Sequence, residues 1–429
     1  MTQAPTQIHD LPWVEADSLL GRLTGGLLFV VLTTGLIAPG TLQGVYLLLA
    51  LIGMGWLTWQ RSWRLSWLDQ AERLLIVAVL VYVALWVAAW LAHGRSPEGA
   101  EGFTRVLRLL PMIPLLLFLR RVRGLAPWWW NGLIAGAVIA GLYALWFVLS
   151  GQTGAHGARV EGTTNPIYFG GFALAFALML LPQLTGGQAS VSRRTLVLLA
   201  ITLALVANAL SGSRGAWLAI PALLLLYPLT LGRRLQPALR LGLPLALLAL
   251  SAAIITGSVL LINGRYTETL LDLGRLHQGL PSDGAIGLRL GMWQLAWQQF
   301  MEQPLFGAGP GSFRHALLAA IDSGHLRADD YEGFRHPHNQ YFSALLVAGL
   351  VGLASLLFLL GSAAWLFVRR LAPGDVPGAG LAWAGLSLVC VVAVMALSES
   401  LFDRNTGIAW FGLLVVMIAA QLSEKPVDE

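Results

Sequence analysis

The sequence predicts an all-α, polytopic integral membrane protein, a single transmembrane domain over residues 1–429 with about twelve transmembrane helices and one long polar loop. Three observations predict it. The chain is 56% hydrophobic and 11% charged over 429 residues. A soluble domain carries roughly 25% charged residues, so this one has too little charge to cover a surface facing water. Its apolar residues fall in runs close to the roughly 20 residues that a spanning helix needs. Its basic residues gather in alternate short loops, as cytoplasmic loops do.

The candidate spans, in chain order, are 23–38, 42–59, 72–92, 103–119, 129–150, 166–184, 195–210, 215–231, 241–262, 338–368, 379–397 and 406–422. The first is short. Only a few residues join the seventh and eighth. The tenth is long enough to tilt or to extend beyond the bilayer.

One set of loops holds Arg22, then Arg61, Arg64 and Arg73, then Arg120, Arg121 and Arg123. It continues through Arg193 and Arg194, Arg233, Arg234 and Arg240, and Arg369 and Arg370 to Lys425. These loops are expected to be cytoplasmic, with both termini on that side. The opposite side receives loops at 39–41, 93–102, 151–165, 211–214 and 398–405, and the loop at 263–337. That loop carries Leu288, Met292, Leu295 and Phe300, spaced for a helix near the interface. The N-terminal stretch, with His9, Asp10, Glu15 and Asp17, lacks the basic region of a signal peptide, so no cleavage is expected. Cys390 lies in an apolar run, which leaves no disulfide framework and no cysteine-based zinc site. The net charge of +5 reflects arginines placed for orientation, and no nucleic acid partner is expected.

Three clusters on the outer side carry chemistry. In Ser211-Gly212-Ser213-Arg214-Gly215 a tight turn of small residues presents backbone donors and one guanidinium. An ionisable residue at the mouth of a span reads as functional by default. Around Arg159, the residues Thr163, Thr164 and Asn165 followed by Pro166 form a helix start, whose free N–H groups favour anions. The third cluster is Arg335-His336-Pro337-His338-Asn339. Histidine works as a base near neutral pH. His338, at the mouth of a long helix, is better placed for this than His336. The i, i+2 spacing of the two is expected to turn them apart and to make a poor metal pair, so no metal site is predicted. Arg95, Arg105 and Arg108 are expected to snorkel to lipid phosphates. The glycine run Gly307-Ala308-Gly309-Pro310-Gly311 reads as a turn. Glu399 could orient a base or bind a sugar hydroxyl.

Together these residues resemble the O-antigen ligase family and its relatives, the O-antigen polymerases and bacterial oligosaccharyltransferases. The resemblance rests on Arg159 through Pro166, Ser211 through Gly215, Gly287 through Arg289 with Trp293, Gln303 through Gly309, and His338 with Asn339. It covers roughly residues 155–405. It implies a GT-C-like, metal-independent glycosyltransferase of the inner membrane with its active site facing the periplasm. Such an enzyme moves a preassembled glycan from undecaprenyl pyrophosphate to a lipid A-core acceptor, among membrane lipid and without a cofactor. By motif, the catalytic residues are His338, Arg214 and Arg289. The substrate-binding candidates are Arg159, Asn165, Ser213, Trp293, Asn339 and Glu399. An O-antigen polymerase, a protein O-oligosaccharyltransferase and a transporter of lipid-linked glycan stand as alternatives.

Overall fold

A computed structural model describes residues 13–94, 97–155, 157–185, 190–230, 237–261, 270–272, 274–275, 277–278, 284–371 and 376–422. Both termini, Arg95, Arg233, Arg234, Lys425 and much of 263–283 lie outside the described residues, and so do the expectations made for them.

Among the described residues the architecture is helical, with two isolated bridges, Val14–Val122 and Gly154–Gly157, and no strand. Among the described residues nine helices are long and apolar enough to cross a membrane, and three shorter apolar helices cover Leu19–Thr34, Arg214–Pro228 and Asn405–Gln421. Each of the twelve apolar segments of the sequence coincides with one of these.

Two segments differ from expectation. The fourth is a broken helix, with Pro97–Val106, a 3-10 turn at Leu107–Leu109 and Met112–Leu119. Pro111 and Pro114 remove two N–H donors there, which interrupts the ladder. The tenth begins at Gln340 and is interrupted inside the bilayer-length run at Ala348 and Gly349, where Gly349 takes φ 62°.

That interruption is filled by the outer loop. Ala308 N donates to Leu346 O at 2.8 Å and Leu350 N donates to Pro304 O at 2.8 Å. Leu350 N–H and Leu346 O, which would bond each other in an unbroken helix, are thus each bonded to the 304–308 segment instead. A Cβ on Gly349 would lie 2.4 Å from Leu305 O, and one on Gly307 would lie 2.6 Å from Leu346 O. The glycine run is therefore a turn, as the sequence reads, and its glycines allow backbone to approach backbone.

Packing is close where glycine permits it. Ala126–Leu149 lies against Leu19–Thr34 and Val191–Ser211. A Cβ on Gly136 would sit 2.0 Å from Leu32 O, and one on Gly141 2.6 Å from Leu203 O. Small residues serve this purpose in membrane helices, where dispersion must replace the hydrophobic drive.

The basic loops meet at one end of the bundle. Arg370 bonds Asp69 at 2.7 Å, Arg120 approaches Glu72 at 3.5 Å, and Arg121 lies over Trp67. The clusters singled out for chemistry gather in loops on the other side of the spans.

Candidate functional site

The site begins with two ends stitched together. Asn339 caps the helix Gln340–Val368, its Oδ1 accepting from the Tyr341 and Phe342 N–H groups at 2.9 and 3.1 Å. Its Nδ2 donates to Leu397 O at 3.0 Å, and its backbone N–H donates to Ser400 Oγ at 3.2 Å. Gln340 Oε1 accepts from Phe402 N at 2.7 Å. These bonds fix the 397–402 turn against residues 338–340. Asn339 and Asn165 thus act as helix caps, Asn165 accepting from Tyr168 N at 3.0 Å. Capping oxygens of this kind typically contribute about 1 kcal/mol.

The stitching brings Glu399 to His338. Oε2 of Glu399 lies 3.1 Å from Nδ1 of His338, with the carboxylate side chain 0% exposed and the histidine side chain 17% exposed. Ser400 N donates to the other carboxylate oxygen at 3.1 Å. Burial alone would raise the Glu399 pKa, but the His338 bond and the positive groups beyond it outweigh that and bring it to about 2. The carboxylate is therefore an anion throughout the neutral range, aimed at one face of the imidazole.

His338 itself adopts φ 49°, the left-handed region. In an extended backbone residues 336 and 338 would share one face. The two rings lie 4.5 Å apart between centroids, correcting the expectation that they diverge. Phe334 packs edge-on against His338 at 5.2 Å. Trp293 Nε1 donates to Pro337 O at 2.9 Å, holding this bend from the helix Ala285–Glu302. Burial drives the His336 pKa down to about 3, so this ring is neutral.

The arginines form a second group. Arg159, Ser213, Arg214, Gly215, Arg289 and Ser398 line a cavity of about 110 Å³. Arg159 Nε donates to Ser211 O at 2.8 Å, and Ser213 Oγ donates to Pro166 O. The 211–214 turn is thereby fixed against the start of the Pro166–Met179 helix. Arg289 sits in the first turns of Ala285–Glu302, whose Ile286 N–H donates to buried Asp272 at 2.9 Å. Three guanidinium-bearing residues from three separate segments thus face one small space. Ser398 lines it, and the next residue is Glu399, so the arginine cavity and the His338–Glu399 pair share one turn.

A larger cavity, about 660 Å³, adjoins His338 and includes Arg105, Thr164, His336, Asp403 and Arg404. Another, about 380 Å³, shares Arg105, Arg335, His336 and Asp403 with it. Arg105, expected to snorkel to lipid, instead pairs with Glu101 and lines both spaces. Asp403 reads from the sequence as an outer-face polar residue and was not among the expected site residues. Burial, reinforced by Glu399, raises the Asp403 pKa to about 6 against the Ser343 hydrogen bond and the charges of Arg105 and Arg404. The signal available was a run of acids, Glu399 and Asp403, between two apolar segments.

Residues 197–357 match the family model described as O-Antigen ligase. The match takes in Arg214, Arg289, His336 and His338, whereas Arg159, Glu399 and Asp403 lie outside it. An uncharacterized protein of Haemophilus influenzae is 26% identical over 224 residues, 51% of this chain and 55% of the relative. The chain thus spans about half the length of the curated relative that it matches.

Proposed function

We propose that the protein is an O-antigen ligase working on the periplasmic face of the inner membrane. The observation that carries this reading is the shared turn: Ser398 lines the cavity of Arg159, Arg214 and Arg289, while Glu399 holds His338. A cation cluster for a leaving group and an oriented base for an incoming hydroxyl then stand side by side.

The donor is a glycan on undecaprenyl pyrophosphate. Its pyrophosphate lies among the three arginines, with Arg214 and Arg289 as the principal contacts. A charge pair at about 4 Å is worth roughly 4 kcal/mol at an effective dielectric of 20, so pre-placed guanidiniums stabilise the charge that develops as the anomeric C–O bond breaks. The acceptor, a sugar of lipid A-core, lies in the larger cavity beside His338. Its hydroxyl oxygen attacks the anomeric carbon from the far side and inverts it. The hydroxyl proton passes to Nε2 of His338. Glu399, accepting from Nδ1–H, keeps that tautomer and offsets the imidazolium that forms, as carboxylate partners of catalytic histidines do. A positioned base of this kind contributes about 10²–10⁴-fold. The energy resides in the pyrophosphate linkage, so no nucleotide enters.

Reconstitution of the purified protein with lipid-linked donor and lipid A-core, followed by linkage analysis, tests this. A glycan joined to core with inverted configuration is expected. A product elongated only on a second lipid-linked glycan would make the protein a polymerase, and movement of donor across vesicles without transfer would make it a transporter.

A further inference from the structure

We propose that His336, His338 and Glu399 form a site for a divalent transition cation of the zinc type, and that a cation held there silences the base. The silencing rests on the role given to His338 above; the site itself rests on geometry.

One ligand atom from each residue lies within 4.8 Å of the other two. Tetrahedral zinc with bonds of about 2.0–2.1 Å separates neighbouring ligand atoms by about 3.3 Å. The 3.1 Å between His338 Nδ1 and Glu399 Oε2 already matches one edge of that tetrahedron. The remaining edges close by about 1.5 Å at most, within reach of a ring rotation at His336. Two imidazoles and a carboxylate are a donor set that zinc accepts, with a fourth position left for water.

His336 supplies the independent observation. Its Nδ1 is buried and has no hydrogen-bond partner among the described residues. Buried polar atoms are nearly always satisfied, and a cation would satisfy this one. The other two ligands are already fixed: Glu399 by the Ser400 N–H, and His338 by its left-handed backbone and the Trp293 bond to Pro337. Access is open, since both histidines line the 660 Å³ cavity.

Arg105, Arg335 and Arg404 line that same cavity and oppose a cation, with Asp403 alone favouring one. Field strength therefore does not attract the ion; imidazole coordination must hold it. Zinc, copper or nickel qualify and magnesium and calcium do not. Coordination through Nδ1 of His338 leaves its proton on Nε2. No proton need be lost, but the atom that must accept the hydroxyl proton is then occupied.

The test titrates the purified, untagged protein in detergent with zinc chloride alone, without substrates, beside magnesium chloride as control. Expected is one zinc bound in the micromolar range, no magnesium bound, and at least tenfold weaker zinc binding in His336→Gln and in Glu399→Gln. Thermal unfolding of each variant checks that it is folded, and His336→Gln leaves the His338–Glu399 pair untouched. Absent zinc binding, or binding unchanged in folded His336→Gln, overturns the site. In transfer assays zinc should inhibit the wild type, a chelator should restore it, and His336→Gln should need at least tenfold more zinc. Equal inhibition of both overturns the silencing. Failure of the ligase reading would appear separately, as no transfer in metal-free buffer with zinc binding intact.

Discussion

Nδ1 of His338 lies 3.1 Å from Oε2 of Glu399, a contact between residues 61 positions apart in the chain. The carboxylate is sealed from solvent and the imidazole is open on its other side. In the proposed reaction the first orients and the second takes the proton.

Glu399→Gln should therefore lower kcat by about 10²-fold or more, because a neutral amide does not offset the imidazolium. The KM for donor should change little, since the arginines are untouched. Steady-state kinetics with purified lipid-linked donor separates the two parameters. A rise in KM at constant kcat would show that Glu399 binds sugar instead.

Arg214→Ala and Arg289→Ala should each cost about 10²–10³-fold in transfer, the scale for removing one preorganised donor from a developing charge. Lysine at either position should restore only part, as a point charge lacks the planar fork that grips two phosphate oxygens. Arg159→Ala should cost less, because its Nε already donates to Ser211 O. Transfer assays at matched protein levels give the order.

Asp403 supplies a pH dependence. Its pKa is raised from 3.8 to about 6, so folding favours the protonated form. That contribution is complete below about pH 3.8 and is lost as pH rises through about 6. Thermal unfolding of wild type should show stability declining across this window, and Asp403→Asn should flatten the decline. An unchanged slope in the variant would mean that another group titrates there.

Much of the fold was legible because bilayer thickness and the poverty of charge leave few options for an apolar run. Asn165-Pro166 marks a helix start by chemistry local to a few residues, and the helix begins there. The site was legible only in part. His338 and Arg214 stand out as polar residues in mouths of spans, and Arg289 through the motif in the long loop. Glu399 is read from the sequence as orienting a base or binding a sugar hydroxyl, and spacing does not decide between them, because Glu399 reaches His338 through a pairing set by two distant segments. Likewise, the His336 and His338 rings meet at 4.5 Å, against the divergence expected from their spacing. Asn339 was expected at the substrate, yet its side chain is engaged by two helix N–H groups and the Leu397 carbonyl.

Gly349→Ala should unlock the outer loop. The position sits at φ 62° and ψ −149°, a region essentially confined to glycine that costs another residue about 1–3 kcal/mol, and that Cβ would meet Leu305 O at 2.4 Å. The helix cannot relax toward regular geometry without expelling residues 304–308, whose backbone now completes its hydrogen bonds. The same segment follows directly on the helix Ala285–Glu302, which carries Arg289 and Trp293. Loosening it should therefore disturb both the arginine cavity and the bend at Pro337. Proteolysis should cut faster near residues 303–311, the unfolding temperature should fall, and transfer should drop although no site residue has changed. Gly361→Ala, where a Cβ would meet nothing within 4 Å, provides the control on the same helix. Equal behaviour of the two variants would show that the 304–308 insertion does not support the site.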